Sequence, residues 1–244
     1  MSDLLSSVPI PRRTMVLFFL VDTSGSMTGD KIGAVNEAIR EVIPEIKDIS
    51  AENADAQIKI AVLDFSSGAS WLYEQPIESD QFVWNNLEAG GLTEMGVAFK
   101  MLNEKFSVSK GFMADATGSY APAIFMMSDG APTDDYKKEL EVLRKNKWFK
   151  VAIKVAVAIG SDANVDILKE FTGNDECVLT ARSPEALRKM IRFASVTASQ
   201  IGSKSSGVGV DDSADSNQKA ADFTKQIKEF EKENIDTKDV QDGW

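Results

Sequence analysis

The chain has 244 residues, 43% of them apolar, enough to bury one substantial core without dividing into two domains. Its 27 Lys and Arg stand against 38 Asp and Glu, a net charge of −11 that argues against a nucleic-acid partner, since phosphate binding needs clustered cations. There is no histidine and a single cysteine, Cys177, which excludes Ser-His-Asp and Cys-His catalysis, His-ligated zinc, thiolate metal clusters and an intrachain disulfide.

The apolar run Met15 to Val21, following Arg12-Arg13, is far too short to span a bilayer, and no small-residue cleavage site follows it before Asp22. It reads as a central strand buried on both faces, in a protein expected to be cytosolic and away from membranes. Ile32, Val35, Ile39, Val42, Ile43 and Ile46 recur at helical spacing, with Pro44 expected to kink that helix or end it early. Ile58 to Phe65 predicts a second strand and Trp71-Leu72-Tyr73 a short third one, at an antiparallel edge. A polar loop ending Gly90-Gly91-Leu92-Thr93 leads into a helix with Met95, Ala98, Phe99 and Leu102 on one side. The weakly patterned stretch 107–120 reads as a surface loop or insertion.

Ala123 to Met127 is another buried strand, stopping at Ser128-Asp129-Gly130. Thr133 is placed to cap the helix that follows, with Asp134 and Asp135 at its positive end. Val151 to Ile159 and Cys177 to Leu179 complete six strands, with a short helix from Val165 to Phe171 between them and Cys177 a buried, inert thiol. Ser183-Pro184 opens a last regular helix, because proline suits the first helical position. Strands alternating with helices predict an α/β fold, a doubly wound, mostly parallel sheet covered by helices on both faces. From residue 202 to 244 the chain turns polar, with ten acidic against six basic residues after Gly202. That tail is expected to be flexible, with a weak helix over Gln218 to Asn234 whose Phe223, Ile227 and Phe230 share one side.

In such a sheet ligands bind beyond the carboxyl ends of the strands, where strand order reverses. Asp22-Thr23-Ser24-Gly25-Ser26 puts side-chain oxygens at alternate positions directly after the first strand, and Thr93 and Asp129 end loops on what the topology makes the same edge. Hydroxyl and carboxylate oxygens, without nitrogen or sulfur, suit a hard cation, Mg²⁺ first, with Mn²⁺ or Ca²⁺ as competitors. An ion whose charge is incompletely offset there, with one position open, is a receptor for a carboxylate.

Val21-Asp22-Thr23-Ser24-Gly25-Ser26-Met27 resembles the first motif of von Willebrand factor type A (VWA) domains. Thr93, after Gly90-Gly91-Leu92, resembles the second motif, and Asp129, in Met127-Ser128-Asp129-Gly130, the third. The resemblance covers residues 12–201. It implies a Rossmann-like fold and a metal-ion-dependent adhesion site (MIDAS) in which Ser24, Ser26 and Thr93 touch the metal while Asp22 and Asp129 act largely through waters. It also implies an interaction module, not an enzyme, whose protein partner presents an Asp or Glu side chain. The Pro44 segment and the run Ser128 to Asp134 resemble the bacterial tellurium-resistance-associated, TerY-like group. That likeness implies a stress-response role beside a protein kinase or a metal-dependent phosphatase.

Two other readings compete. A Mg²⁺-dependent phosphatase of the haloacid-dehalogenase type needs a second aspartate two residues after the first, where this chain has Ser24. A metal-independent scaffold makes no use of the oxygens at all, and dependence of partner binding on metal separates it from the interaction module.

Overall fold

A computed structural model describes residues 12–54, 56–109, 111–113, 118–202 and 212–234. The first strand, β1 (Arg13–Asp22), has Met15 to Val21 almost completely buried, as its unbroken apolar run requires. Its side chains alternate between two cores. Leu17 and Phe19 join one formed with α1 (Asp30–Glu52) and α6 (Pro184–Gly202), while Val16, Phe18 and Leu20 join another formed with α2 (Met95–Lys105) and α3 (Tyr136–Lys145). This is the doubly wound α/β arrangement.

The sheet has seven strands, not six. Its order is β3 (Gly68–Trp71), β2 (Ala56–Ser66), β1, β5 (Ala123–Ser128), β6 (Ile153–Ile159), β7 (Val178–Ala181), and β4 (Ile77–Glu78) also pairs with β2. The five strands from β2 to β7 along this order are parallel; β3 and β4 run antiparallel along the outer edge of β2. The two residues of β4 are too few for an alternating pattern to mark. The edge strand also lies earlier than Trp71–Tyr73, because it follows β2 through a tight turn at Gly68, whose φ is 94°.

Helix α1 runs through Pro44 to Glu52 instead of ending early. Val42, Ile43 and Ile46 on both sides of the proline are buried in the core shared with α6, and Arg188 and Arg192 of α6 pair with Glu37 and Glu45 at 2.5 and 2.7 Å. Packing along that whole face offsets the lost hydrogen bond and the ring's clash with the preceding turn, which together cost about 3 kcal/mol in a helix interior. Val151 closes a short helix, α4 (Lys147–Val151), instead of opening β6. The last regular helix opens at Pro184 as expected, and Ser183 caps it by accepting the Ala186 N–H at 3.2 Å. In the stretch 107–120, Phe112 and Met113 are buried, the Phe112 ring lying 4.8 Å from that of Trp71, so this segment covers core as well as surface.

In the tail, α7 (Asp212–Asn234) extends beyond the expected 218–234 helix and docks. Phe223 and Ile227 are fully buried, Phe230 stacks on Phe193 at 4.1 Å, and Lys228 pairs with Glu176 at 2.6 Å. Glu176 precedes β7, so α7 meets the sheet near the amino end of that strand. No helix among the described residues is long and apolar enough to cross a membrane.

Lys154, the one polar break in the apolar run of β6, donates to the carbonyls of Phe149 and Ala152, both at 3.0 Å. Burial lowers its pKa from 10.5 to about 8, slightly opposed by attraction to Cys177, whose own pKa burial raises. Between pH 8 and 10.5 the unfolded chain therefore holds a proton on this lysine that the folded chain has released, so its contribution to stability rises with pH in that window. The buried thiol works in the opposite sense above pH 9. Comparing Cys177→Ala with Cys177→Ala/Lys154→Met isolates the lysine. The double variant should gain on the single one at pH 7 relative to pH 10 by about 2 kcal/mol in urea unfolding.

Candidate metal centre

Asp22, the last residue of β1, is the anchor of this edge. Its carboxylate is inaccessible to solvent; Oδ1 accepts the Ser24 N–H at 2.8 Å and Oδ2 accepts the Ser128 hydroxyl at 2.6 Å. Desolvation raises its pKa, the hydrogen bonds from Ser128 and Ser24 pull it back down, and the negative charge of Asp129 adds a smaller upward push. A carboxylate this poorly solvated favours a nearby cation.

Three more residues follow in a chain of contacts. The Ser24 and Ser26 hydroxyls lie 3.1 Å apart, and the Ser26 hydroxyl donates to Asp129 Oδ1 at 2.9 Å. Ser24 and Asp129 are buried and Ser26 is exposed, so the cluster reaches the surface through Ser26. Because β1 and β5 are parallel neighbours, Asp22 and Asp129 leave the sheet side by side. Connections run from β1 outward to β2 on one side and from β5 to β6 and β7 on the other, which puts the cluster where strand order reverses.

Thr93 arrives by a different route. The loop before it crosses the first motif, with Gly90 N–H donating to Thr23 O at 2.7 Å and Gly25 N–H to Gly91 O at 3.0 Å. Gly91 has φ 87°, and a Cβ there would lie 2.7 Å from the Ser67 hydroxyl, so this crossing is open only to glycine. Farther back, the buried Asn36 of α1 holds the same loop by both the N–H and the carbonyl of Leu87. Thr93 is buried, and its hydroxyl has no hydrogen-bond partner among the described residues, including the other four residues of the site.

Three residues that position the site went unrecognised in the sequence. Ser128 binds Asp22 and also accepts the Gly130 N–H at 2.7 Å, clamping the ends of β1 and β5 together. Thr133 does not cap the helix after it: its hydroxyl accepts the Thr93 N–H at 3.2 Å, and its own N–H donates to Thr93 O at 2.8 Å. Asp134 caps α2 instead of α3, accepting the Gly96 and Val97 N–H groups at 3.1 Å each. Sequence spacing signals the Ser128–Gly130 turn, but the bonds of Thr133 and Asp134 span some forty residues and have no local signature. Lys31, unmarked in the sequence, stands 3.1 Å from Asp129 Oδ2.

Among the described residues no three His, Cys, Asp or Glu side chains converge on a point, so any cation here is held mainly by hydroxyls. Two carboxylates and three hydroxyls, all oxygen, fit a hard divalent ion.

A family model for the von Willebrand factor type A domain matches residues 17–193, well over half of the chain. The chain belongs to the VWA family. No curated protein matches it. Among solved structures it is similar to proximal thread matrix protein 1 from the mussel byssus, at 20% identity and a TM-score of 0.57 over 78% of this chain and 49% of that one. Another structure of that protein, described as having a zinc-occupied MIDAS motif, matches at 18% identity and a TM-score of 0.58 over 78% of this chain and 48% of that one. A von Willebrand factor type A protein from Catenulispora acidiphila matches at 18% identity and a TM-score of 0.56 over 77% and 43% of the two chains. These likenesses show the fold, and the VWA chain spans about half the length of these structures.

Ser128 offers a test of how the VWA domain supports this edge. Ser128→Ala leaves the buried Asp22 carboxylate without one of its two side-chain and main-chain donors, which should cost about 1–3 kcal/mol in urea unfolding. Measured on the metal-free protein at pH 7, the loss should shrink at pH 4, where protonating Asp22 relieves the unpaired charge.

Proposed function

We propose that this VWA domain is an interaction module that binds a partner protein's carboxylate through a divalent cation held by Ser24, Ser26 and Thr93, with Asp22 and Asp129 behind them. The observation that carries this is the contiguous line of oxygens running from Ser24 through Ser26 to Asp129, with the Thr93 hydroxyl left without a hydrogen-bond partner among the described residues. A hydroxyl that no protein group engages keeps its lone pairs available to a cation. The zinc described in the MIDAS motif of the mussel protein supports divalent binding by this fold. The oxygen-only donors here favour Mg²⁺, with Mn²⁺ or Ca²⁺ as competitors.

Carboxylate recognition follows from electrostatics. Hydroxyl ligands bring no charge, so a divalent ion they hold keeps an affinity for an anion at its open position. VWA domains generally serve as interaction modules, and a phosphatase of the haloacid-dehalogenase type would need an aspartate as its acid and base where this chain has Ser24. The further proposal, a cytoplasmic tellurite- or stress-response role beside a kinase or metal-dependent phosphatase, rests only on the resemblance of the Pro44 segment and the run Ser128 to Asp134 to the TerY-like group.

One observation favours the scaffold reading. Ser24, Ser26, Asp129 and Lys31 already satisfy one another, so the edge holds together without an ion.

Calorimetric titration separates the two readings. The full chain should bind Mg²⁺ or Mn²⁺ at one site and gain about 2.7 kcal/mol of stability at a hundredfold excess over Kd. Thr93→Ala and Ser24→Ala should each weaken binding at least about tenfold, roughly the worth of one lost direct ligand, with the metal-free melting temperature little changed. Chelator should release any partner captured from host extract, and Thr93→Ala should capture none. A partner held equally tightly with chelator and by Thr93→Ala establishes the scaffold.

A further inference from the structure

Lys31 lies in the first turn of α1, and its side chain is only 12% exposed although the residue begins a surface helix. Its ammonium sits between two carboxylates of opposite character: Asp129 Oδ2 at 3.1 Å, in a side chain 4% exposed, and Asp162 Oδ1 at 3.4 Å, in one 76% exposed. The lysine stem passes over the end of β6. A Cβ on Gly160, whose φ is 94°, would lie 3.1 Å from both Cε and Nζ of Lys31, so the glycine leaves the slot that the lysine fills. Asp129 is held on its other side by Ser26 and through its own carbonyl by the Asn164 N–H at 2.9 Å. The cation is thus built into the site, directed at one of the two carboxylates proposed to hold the metal.

We propose that Lys31 is an intramolecular counter-ion that competes with the divalent cation for Asp129 and so sets the affinity of the metal site. In the metal-free protein the ammonium balances a buried carboxylate that would otherwise be costly to leave unpaired. When the ion takes up the charge of Asp129, Lys31 keeps Asp162 as its solvent-facing partner, a shift in pairing that needs no movement of α1. With Lys31 in place the two aspartates and the lysine sum to a charge of −1, and without it to −2. Removing the lysine should therefore tighten metal binding, the reverse of what loss of a supporting residue would do.

This inference rests on the metal-site reading, and the experiment keeps the two apart. Mn²⁺ is titrated calorimetrically into the full chain as wild type, Lys31→Met and Lys31→Arg. Lys31→Met keeps most of the stem and should bind about tenfold more tightly, as expected for removing one charge a few ångströms from the ion. Lys31→Arg keeps the charge and should stay within about twofold of wild type. Without metal, Lys31→Met should melt below wild type, and saturating Mn²⁺ should close the gap. If Lys31→Met does not fold, Lys31→Gln, which retains a donor for Asp129 without the charge, should tighten binding in the same direction. Wild type and Lys31→Met binding Mn²⁺ equally, or Lys31→Met binding it more weakly, overturns the counter-ion role and leaves the metal site standing. Absence of Mn²⁺ binding by wild type and Lys31→Met alike overturns both.

Discussion

A carboxylate cut off from water at the end of a central strand is the constraint around which this molecule is arranged. Asp22 follows seven almost fully buried apolar residues of β1, so its position is dictated by the core and cannot relax toward solvent. A buried charge survives only with hydrogen bonds or an opposite charge close by. The turn after β1 answers with the Ser24 N–H, and the neighbouring strand β5 answers with the Ser128 hydroxyl. From those two bonds follow the alignment of β1 with β5, the approach of Asp129, and the short line of hydroxyls that reaches the surface at Ser26.

Support for this edge is drawn from most of the domain. The helix that crosses back from β1 supplies Asn36, which holds the loop leading to Thr93, and Lys31, which faces Asp129. The loop after β5 supplies Thr133 and Asp134, which fix the backbone of Thr93 and the start of α2. Each of these bonds joins one motif to another, so a change at one loop is felt at the other two. A site assembled this way holds its oxygens in place before any ligand arrives, which lowers the ordering cost of binding.

The docked α7 lies toward the other end of the sheet. It packs against α6 and the turn before β7, with Thr224 donating to the Ala220 carbonyl and standing 3.2 Å from Asn174 and 3.7 Å from the Cys177 sulfur. The segment is polar overall and reads from composition as a flexible tail, yet among its described side chains Phe223 and Ile227, one helical turn apart, are fully buried, and Phe230 stacks on Phe193 beside them.

Much of the architecture was legible in the residues themselves. Short unbroken apolar runs at Met15 to Val21 and Ala123 to Met127, each stopping at a polar turn, fit strands covered on both faces, and helices between them leave a parallel sheet as the economical solution. The oxygens of residues 22, 24, 26 and 129 were legible as chemistry because they follow directly on strand ends, a local property of the chain, whereas Thr93 was marked by its place at the end of a loop and its likeness to the second VWA motif. What tertiary structure alone decided are the contacts between distant segments: the passage of α1 through Pro44, the two-residue strand β4, the turning of Thr133 and Asp134 away from their own helix, and the placing of Lys31 on Asp129. In each case the local preference was weak or worth only one or two hydrogen bonds, and partners contributed by segments far away in sequence outweighed it.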